Sequence, residues 1–295
     1  MSQKRRILIT GATGNVGRCL VEALQTQAKG FQPVLAVRNV ERARATFSDA
    51  AALTFVRFDF EDTTTFAEAF LKIDTLFLLR PPHLTDVDKV FRPLLKAARR
   101  SQIRRVIFLS VQGVEQSRLI PHHGIEKLIG ELGFEAVYLR PGYFMQNLTD
   151  TLLPDIRQHQ KIYLPAGNLP FNWIDVQDIA RAAVAVLQDF TRWQGAALTL
   201  TGQEQKNFEE VAGLLREITG EPIRYKADNP ITFFIRKKKE GLSTAFIFVM
   251  IALHWLPRFQ QQPPLTETYH QVTGKAPTTL KAFLEREKQT FVAEK

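Results

Sequence analysis

From the fifth residue onward, short aliphatic and β-branched runs alternate with longer amphipathic stretches. They read RRILIT, GRCLVEALQTQ, PVLAVR, VERARATF, LTFVRFDF and TTTFAEAFLK, then TLFLLR, DVDKVFRPLLKAARRSQ, RRVIFLS, IEKLIGELG and EAVYLRP. The strand-like runs are almost continuously apolar rather than alternating, as in a sheet covered by helices on both faces. The succession predicts an α/β fold with a doubly wound parallel sheet.

After Pro141 the pattern changes. GYFMQNLTDTLLPDIRQ opens on aromatic residues, and KIYLPAGNLPFNWIDVQDIARAAVAVLQD reads as a short strand, a turn-rich link and a helix with Asp175 and Asp178 near its start, where negative charge is favoured. AALTLTG reads as a strand and NFEEVAGLLREITGEP as a helix closed by Gly220 and Pro222. From Tyr225 the chain is helix-rich. The organisation predicted is a Rossmann-type core over residues 1–150, with residues 151–295 completing it and forming a smaller C-terminal α/β lobe.

Composition narrows the class. A chain of 295 residues, 45% hydrophobic, can bury a large core without staples. Its one cysteine, Cys19, allows no internal disulfide, and no Cys/His spacing suggests a metal site. The basic start MSQKRR runs straight into the first strand, so no secretory leader is expected and a cytoplasmic setting is the simplest reading. The longest apolar run, TAFIFVMIALHWL, is too short to span a membrane, so no membrane partner is expected and the run reads as a buried or lid helix. The net charge of +9 concentrates locally in KAARRSQIRR and RKKK. Neither segment interleaves aromatics or sits in a base-reading motif, so nucleic acid is not an expected partner, and solvated helix ends and an anionic cofactor account for the charge.

The candidate chemistry begins at ILITGATGNVG. Gly11, Gly14 and Gly17 follow a strand and open a helix, as a dinucleotide pyrophosphate requires: a tight turn, close backbone approach, and free N–H groups at a helix start. Thr13, Asn15 and Val16 belong to the same turn. The second strand ends in Arg38 where an acid would bind a ribose 2′-hydroxyl, which favours a 2′-phosphate and hence NADP(H) over NAD(H). Asp59, in RFDF, is either an acceptor for the adenine amino group, with Phe60 beside the ring, or a turn-forming aspartate. Leu79 and Arg80, closing the fourth strand, are placed to line the cofactor crevice.

Taken in order, ITGATGNVG, VRN, DTLFLLRPP, RRVIFLSVQG, LRPGYFMQN, WIDVQDIARAAVAVL, LTLTG and TGKAPTTLKAFLEREKQTF resemble the NmrA-like branch of the atypical short-chain dehydrogenases/reductases over nearly the whole chain. The resemblance implies an NADP(H) domain with a small substrate lobe. It also implies one of two jobs: a reductase of quinones, dyes or related aromatics, or a redox sensor that acts through a protein partner. Fold alone does not choose.

In the wider superfamily a serine, a tyrosine and a lysine four residues later serve the cofactor and the proton transfer. Ser110 matches the serine and Lys127 the lysine, but His123 stands where the tyrosine belongs. His123 and Lys127 share a helix face, as do His122 and Glu126, so either histidine is a candidate proton donor. Pro141, Gly142 and Tyr143 are expected beside the nicotinamide, and Phe144 and Asn147 on the acceptor side, although the aromatics also suit a core. Phe233, Phe234, Phe246, Phe248 and Trp255 suggest an apolar, flat substrate, or else a surface for a second copy or a protein partner. The leading expectation is an NADPH-dependent reductase passing a hydride to an apolar quinone, carbonyl or aromatic acceptor.

Overall fold

The computed structural model describes residues 4–47, 50–118 and 120–292, so the first three residues of the basic start lie outside it. The described chain divides into two compact units, the first comprising Met1–Pro141, Val176–Leu200 and Thr268–Lys275, and the second Gly142–Asp175, Thr201–Glu267 and Ala276–Lys295. The first change of unit therefore falls at Pro141, where the apolar pattern changes, and not at residue 150.

The first unit is built on β1 (Arg5–Thr10), β2 (Phe31–Val37), β3 (Thr54–Arg57), β4 (Thr75–Leu79), β5 (Arg105–Leu109) and β6 (Glu135–Pro141). Counting β7 to β9 in the second unit, its last strand is β10 (Ala197–Leu200). Among the described residues these seven strands form one sheet in the order β10-β6-β5-β4-β1-β2-β3, with every pairing parallel. The continuous apolar runs have the expected cause, because Ile7, Leu8, Leu76, Phe77, Leu78 and Phe108 are all fully buried. One face of the sheet is covered by Phe66, Phe70, Phe91, Leu94, Ile125 and Leu128 with their neighbours. The helices Asn15–Gln27 and Val176–Gln188 pack on each other, also within this unit.

In the second unit β7 (Tyr143–Phe144), β9 (Phe171–Ile174) and β11 (Gln205–Lys206) form one small sheet, while β8 (Lys161–Leu164) and β12 (Arg224–Ala227) form another. The segment read as a turn-rich link thus contains a strand, and the reason is burial: all four residues of β9 are buried. The helix Phe208–Thr219 is closed as expected by Gly220 in the left-handed region, and a reciprocal Asn207–Glu210 capping box opens it. The expected buried or lid helix is Thr244–Trp255, which buries only Ile247, Met250 and His254 and exposes Phe246, Phe248, Val249 and Leu253.

Tyr143 lies at the centre of this unit, its ring within 4.8–5.9 Å of Phe171, Trp173, Phe208 and His254. Its hydroxyl lies 2.8 Å from His254 Nε2, while His254 Nδ1 lies 2.7 Å from the Met250 carbonyl. Only one tautomer satisfies both contacts: Nδ1–H donates to Met250, and the tyrosine donates to Nε2. Burial holds His254 down at a pKa of about 4, against the smaller upward pull of the Met250 carbonyl. As pH falls below about 6.5, the unfolded chain takes up this proton before the folded one, so stability is lost until the folded group titrates near pH 4. The cost approaches about 3 kcal/mol. The denaturant midpoint should therefore fall between about pH 7 and pH 4.5, and His254→Gln should reduce that fall; an unchanged pH profile in the variant would show that His254 is not its source.

Candidate functional site

The chain runs from β1 outward to β2 and β3, then returns to place β4 on the other side of β1, so the order of winding reverses between β1 and β4. Open α/β sheets bind ligands at the carboxyl ends of the strands flanking such a reversal. Because all pairings are parallel, Gly11, Arg38, Arg80 and Ser110, each directly after a strand, share one edge with Asp59 and with Pro141 at the end of β6. Thr10, which the sequence reading passed over, pins this mouth. Its buried hydroxyl receives the Leu79 N–H at 2.8 Å and donates to the Leu79 carbonyl at 3.1 Å.

The glycine turn has two distinct requirements. Gly11 has φ of 62°, in the left-handed region that favours glycine. Gly17 has no room for a side chain: a Cβ there would stand 2.3 Å from the Gly11 carbonyl oxygen and 2.7 Å from the Ala12 Cα. The helix Asn15–Gln27 consequently starts hard against the turn, with Gly14 giving no side-chain cap and no acid in the first turn. Thr13, Gly14 and Asn15 are exposed, whereas Val16 is buried and offers a ligand only its backbone. Arg18, also missed by sequence reasoning, stands exposed in that first turn, where the helix dipole disfavours a cation unless an anion is near. Its visible signal was its place directly after the third glycine.

At the end of β2 Arg38 is exposed and makes no ion pair among the described residues. Asn39 beside it caps the next helical turn by accepting from the Arg42 N–H at 2.8 Å. Asp59 is half-buried and accepts from the Glu61 N–H at 3.0 Å, the turn-forming arrangement; Phe60 is buried against Phe58 and Phe91 at 5.0 and 5.7 Å. The core thus holds the Phe60 ring.

Arg80 is bound by its own loop. Its Nη1 donates to the carbonyls of Pro81, Pro82 and Leu84 at 2.8–3.0 Å, and its Nε to His122 Nε2 at 3.4 Å. His122 also packs on Phe108, ring centroids 5.9 Å apart. Burial, followed by the Arg80 charge, pushes its pKa down to about 3, so the imidazole is neutral near pH 7. With Nε2 accepting from Arg80, the one proton the neutral ring carries is on Nδ1. Glu126, expected to pair with His122, instead grips Arg140 at 2.6 Å, and Glu115 holds the same guanidinium at 3.0 Å. Salt-bridging raises Arg140, mainly through its hydrogen bond to Glu126.

His123 is half-buried, and the Lys127 side chain is 70% exposed with its ammonium 3.7 Å from Glu131, one turn further along the helix Pro121–Glu131. The structure pairs Lys127 with Glu131. Ser110 does belong to the rim: it is buried, its N–H donates to the Leu139 carbonyl at 2.7 Å, and its Oγ has no partner among the described residues. A buried hydroxyl without a partner is costly unless a ligand or water completes it.

In the second unit, Gly142 is required by the chain itself, since a Cβ would lie 2.3 Å from the Asn172 carbonyl oxygen. Tyr143, expected beside the cofactor, has its hydroxyl committed to His254. Phe144 and Asn147 are half-buried. Among the described residues no cluster of His, Cys, Asp and Glu could hold a metal.

Comparison with known proteins agrees with this architecture. The chain is 27% identical over 290 residues to the prestalk A differentiation protein A of Dictyostelium discoideum, covering 98% of this chain and 94% of that protein. It is 26% identical to an NAD(P)H azoreductase of Xenophilus azovorans, covering 97% and 99% of the two chains. The crystal structure of the NADPH-dependent quinone oxidoreductase QOR2 of Escherichia coli, in complex with NADPH, superposes with a TM-score of 0.84 at 22% identity, covering 95% of this chain and 99% of that one. The model of the NmrA-like family matches residues 3–249. With a doubly wound parallel sheet, a glycine turn at its switch point and that match, the chain belongs to the NmrA-like family.

Proposed function

We propose that the protein is an NADPH-dependent oxidoreductase that passes a hydride to an apolar quinone, carbonyl or related aromatic acceptor. The observation that carries the cofactor reading is the turn at the β1/β4 switch point, where Gly17 leaves no room for a Cβ and the helix start meets the strand end. The residues fit a dinucleotide. Glycine backbone and the helix start suit a pyrophosphate, Arg18 and Arg38 supply uncommitted positive charge for phosphate groups, and the orphaned Ser110 Oγ calls for a polar ligand group. NADPH, when bound, supplies the hydride. The azoreductase and the quinone oxidoreductase favour a reductase over the alternative, a redox sensor without catalysis.

The chain's part in such a reaction is to fix two rings and exclude water, which by itself accounts for a large share of a rate enhancement. Reduction of a quinone needs one hydride and one proton, and water can give the proton. A neutral His122 and a solvent-facing Lys127 are compatible with that division of labour. Phe144 and Asn147, next in the chain after β6 and β7 begin, are our candidates for the acceptor.

Two variants test the assignments. Arg38→Ala should weaken NADPH binding by about 1.5–3 kcal/mol, roughly ten- to hundred-fold, and leave NADH unchanged, because a charge-assisted contact to the 2′-phosphate is lost. Fluorescence titration measures both, and equal losses for the two nucleotides would remove the 2′-phosphate role. Lys127→Ala should keep quinone turnover within about two-fold, the small effect expected of an exposed ion pair; a large fall in kcat would return Lys127 to the catalytic machinery.

A further inference from the structure

Ten large apolar side chains are exposed among the described residues, and nine of them fall between Ile231 and Leu265. Two consecutive helices supply most of them. In Thr244–Trp255, Ile247, Met250 and His254 face the core of the second unit, while Phe246, Val249 and Leu253 form a stripe at i, i+3 and i+7, exposed by 38%, 47% and 47%. Phe248 stands beside that stripe at 58%. A helix whose outer face meets only water carries polar or charged residues there. This one is apolar on both faces, and from Gly241 to Thr266 the sequence has no Asp or Glu.

The preceding helix, Pro230–Lys239, extends the surface. Ile231 and Ile235, one turn apart, are 73% and 50% exposed, and Phe234 packs on Phe248 with ring centroids 5.6 Å apart. Lys239 continues the Ile231–Ile235 stripe by one more turn. Of the four cations that end this helix, Arg236 is bound to Asp228 at 3.0 Å, and Lys237 is buried between Asp155 at 2.5 Å and Glu240 at 2.7 Å. Lys238 and Lys239 are exposed and meet no carboxylate among the described residues; Lys238 donates to the Thr244 hydroxyl at 3.2 Å, at the start of the apolar helix. The exposed acid that follows them, Glu240, is thus taken up by Lys237, while Asp228 and Asp155 are buried in their own ion pairs.

We propose that the paired helices Pro230–Lys239 and Thr244–Trp255 form a docking surface for anionic membrane lipid. An apolar, aromatic-bearing face bordered by Lys238 and Lys239, whose exposed neighbour Glu240 is already paired with Lys237, is complementary to a layer of acyl chains under negative headgroups. A second copy would bring the same acid-poor face to Lys238 and Lys239, with no carboxylate between Gly241 and Thr266 to meet them. A protein partner would require hydrogen bonds at ordinary interface density, whereas the outer face of Thr244–Trp255 offers one hydroxyl, already engaged by Lys238. The surface lies on the membrane and does not cross it. The helix has 12 residues, spanning about 18 Å against a hydrocarbon core of about 30 Å, and no described helix is long and apolar enough to span. The proposal departs from the sequence expectation of no membrane partner, which rested on the length of the apolar run alone. It is independent of the hydride-transfer reading.

Co-sedimentation of the full chain with vesicles tests it. The protein should pellet with vesicles of phosphatidylcholine and phosphatidylglycerol in equal parts, and be released by high salt and by replacement with pure phosphatidylcholine. Lys238→Ala with Lys239→Ala should weaken partitioning about 30-fold. Phe248→Ser with Val249→Ser should weaken it at least about ten-fold. Circular dichroism melting should match the parent for the lysine pair, which keeps the charge test valid even if the apolar variant folds poorly. Absence of binding to the anionic vesicles, equal binding to neutral ones, or parental binding by the lysine variant would overturn the proposal. So would concentration-dependent dimerisation on gel filtration that Phe248→Ser with Val249→Ser abolishes, since the face would then belong to a second copy.

Discussion

The candidate site depends on how closely one helix can start behind one strand. At 2.3 Å from a Gly11 carbonyl oxygen to the place where a Cβ would be, Gly17 leaves the backbone no alternative to glycine. That contact sets the first turn of Asn15–Gln27 at the mouth between β1 and β4, and the exchange between Thr10 and Leu79 keeps the two strand ends together. The rest of the rim follows from topology. A parallel sheet brings the ends of β2, β3, β5 and β6 to the same edge, so residues separated by more than a hundred positions meet without any local signal in the sequence.

Charge in the first unit divides into committed and uncommitted groups. Arg80 spends its guanidinium on three carbonyls of the following loop, and Arg140 spends its own on Glu126 and Glu115. Both stiffen the loops around the rim, and neither is free for an anion. Arg18, in the first turn of Asn15–Gln27, and Arg38, directly after β2, have no such partners among the described residues. Burial acts in the same selective way on the histidines. His122 and His254 are both held neutral, the first by burial and Arg80, the second by burial against the pull of the Met250 carbonyl.

The strands were legible because a parallel sheet buried on both faces leaves an unbroken apolar run; RRILIT and EAVYLRP match β1 and β6 residue for residue. The glycine turn was legible for the same reason that it is restrictive, since backbone geometry leaves a mark in the residue type. Side-chain partners were not. Spacing put Glu126 with His122 on one helix face, but a guanidinium fourteen positions away in β6 competes better than a neutral imidazole four positions away. Phe60 and Tyr143 looked like cofactor contacts because aromatics suit both a ring stack and a core, and periodicity does not distinguish the two; their rings lie among other aromatics. The strand Phe171–Ile174 was hidden by the prolines and glycine before it, which read as a loop.

On the proposed function, the β1/β4 turn holds NADPH and prefers it to NADH. Isothermal titration of the wild-type chain with each nucleotide tests this most directly. NADPH should bind saturably at one site per chain, at least about ten-fold tighter than NADH, as one charge-assisted phosphate contact would produce. Equal affinity for the two, or no heat with either, would contradict it.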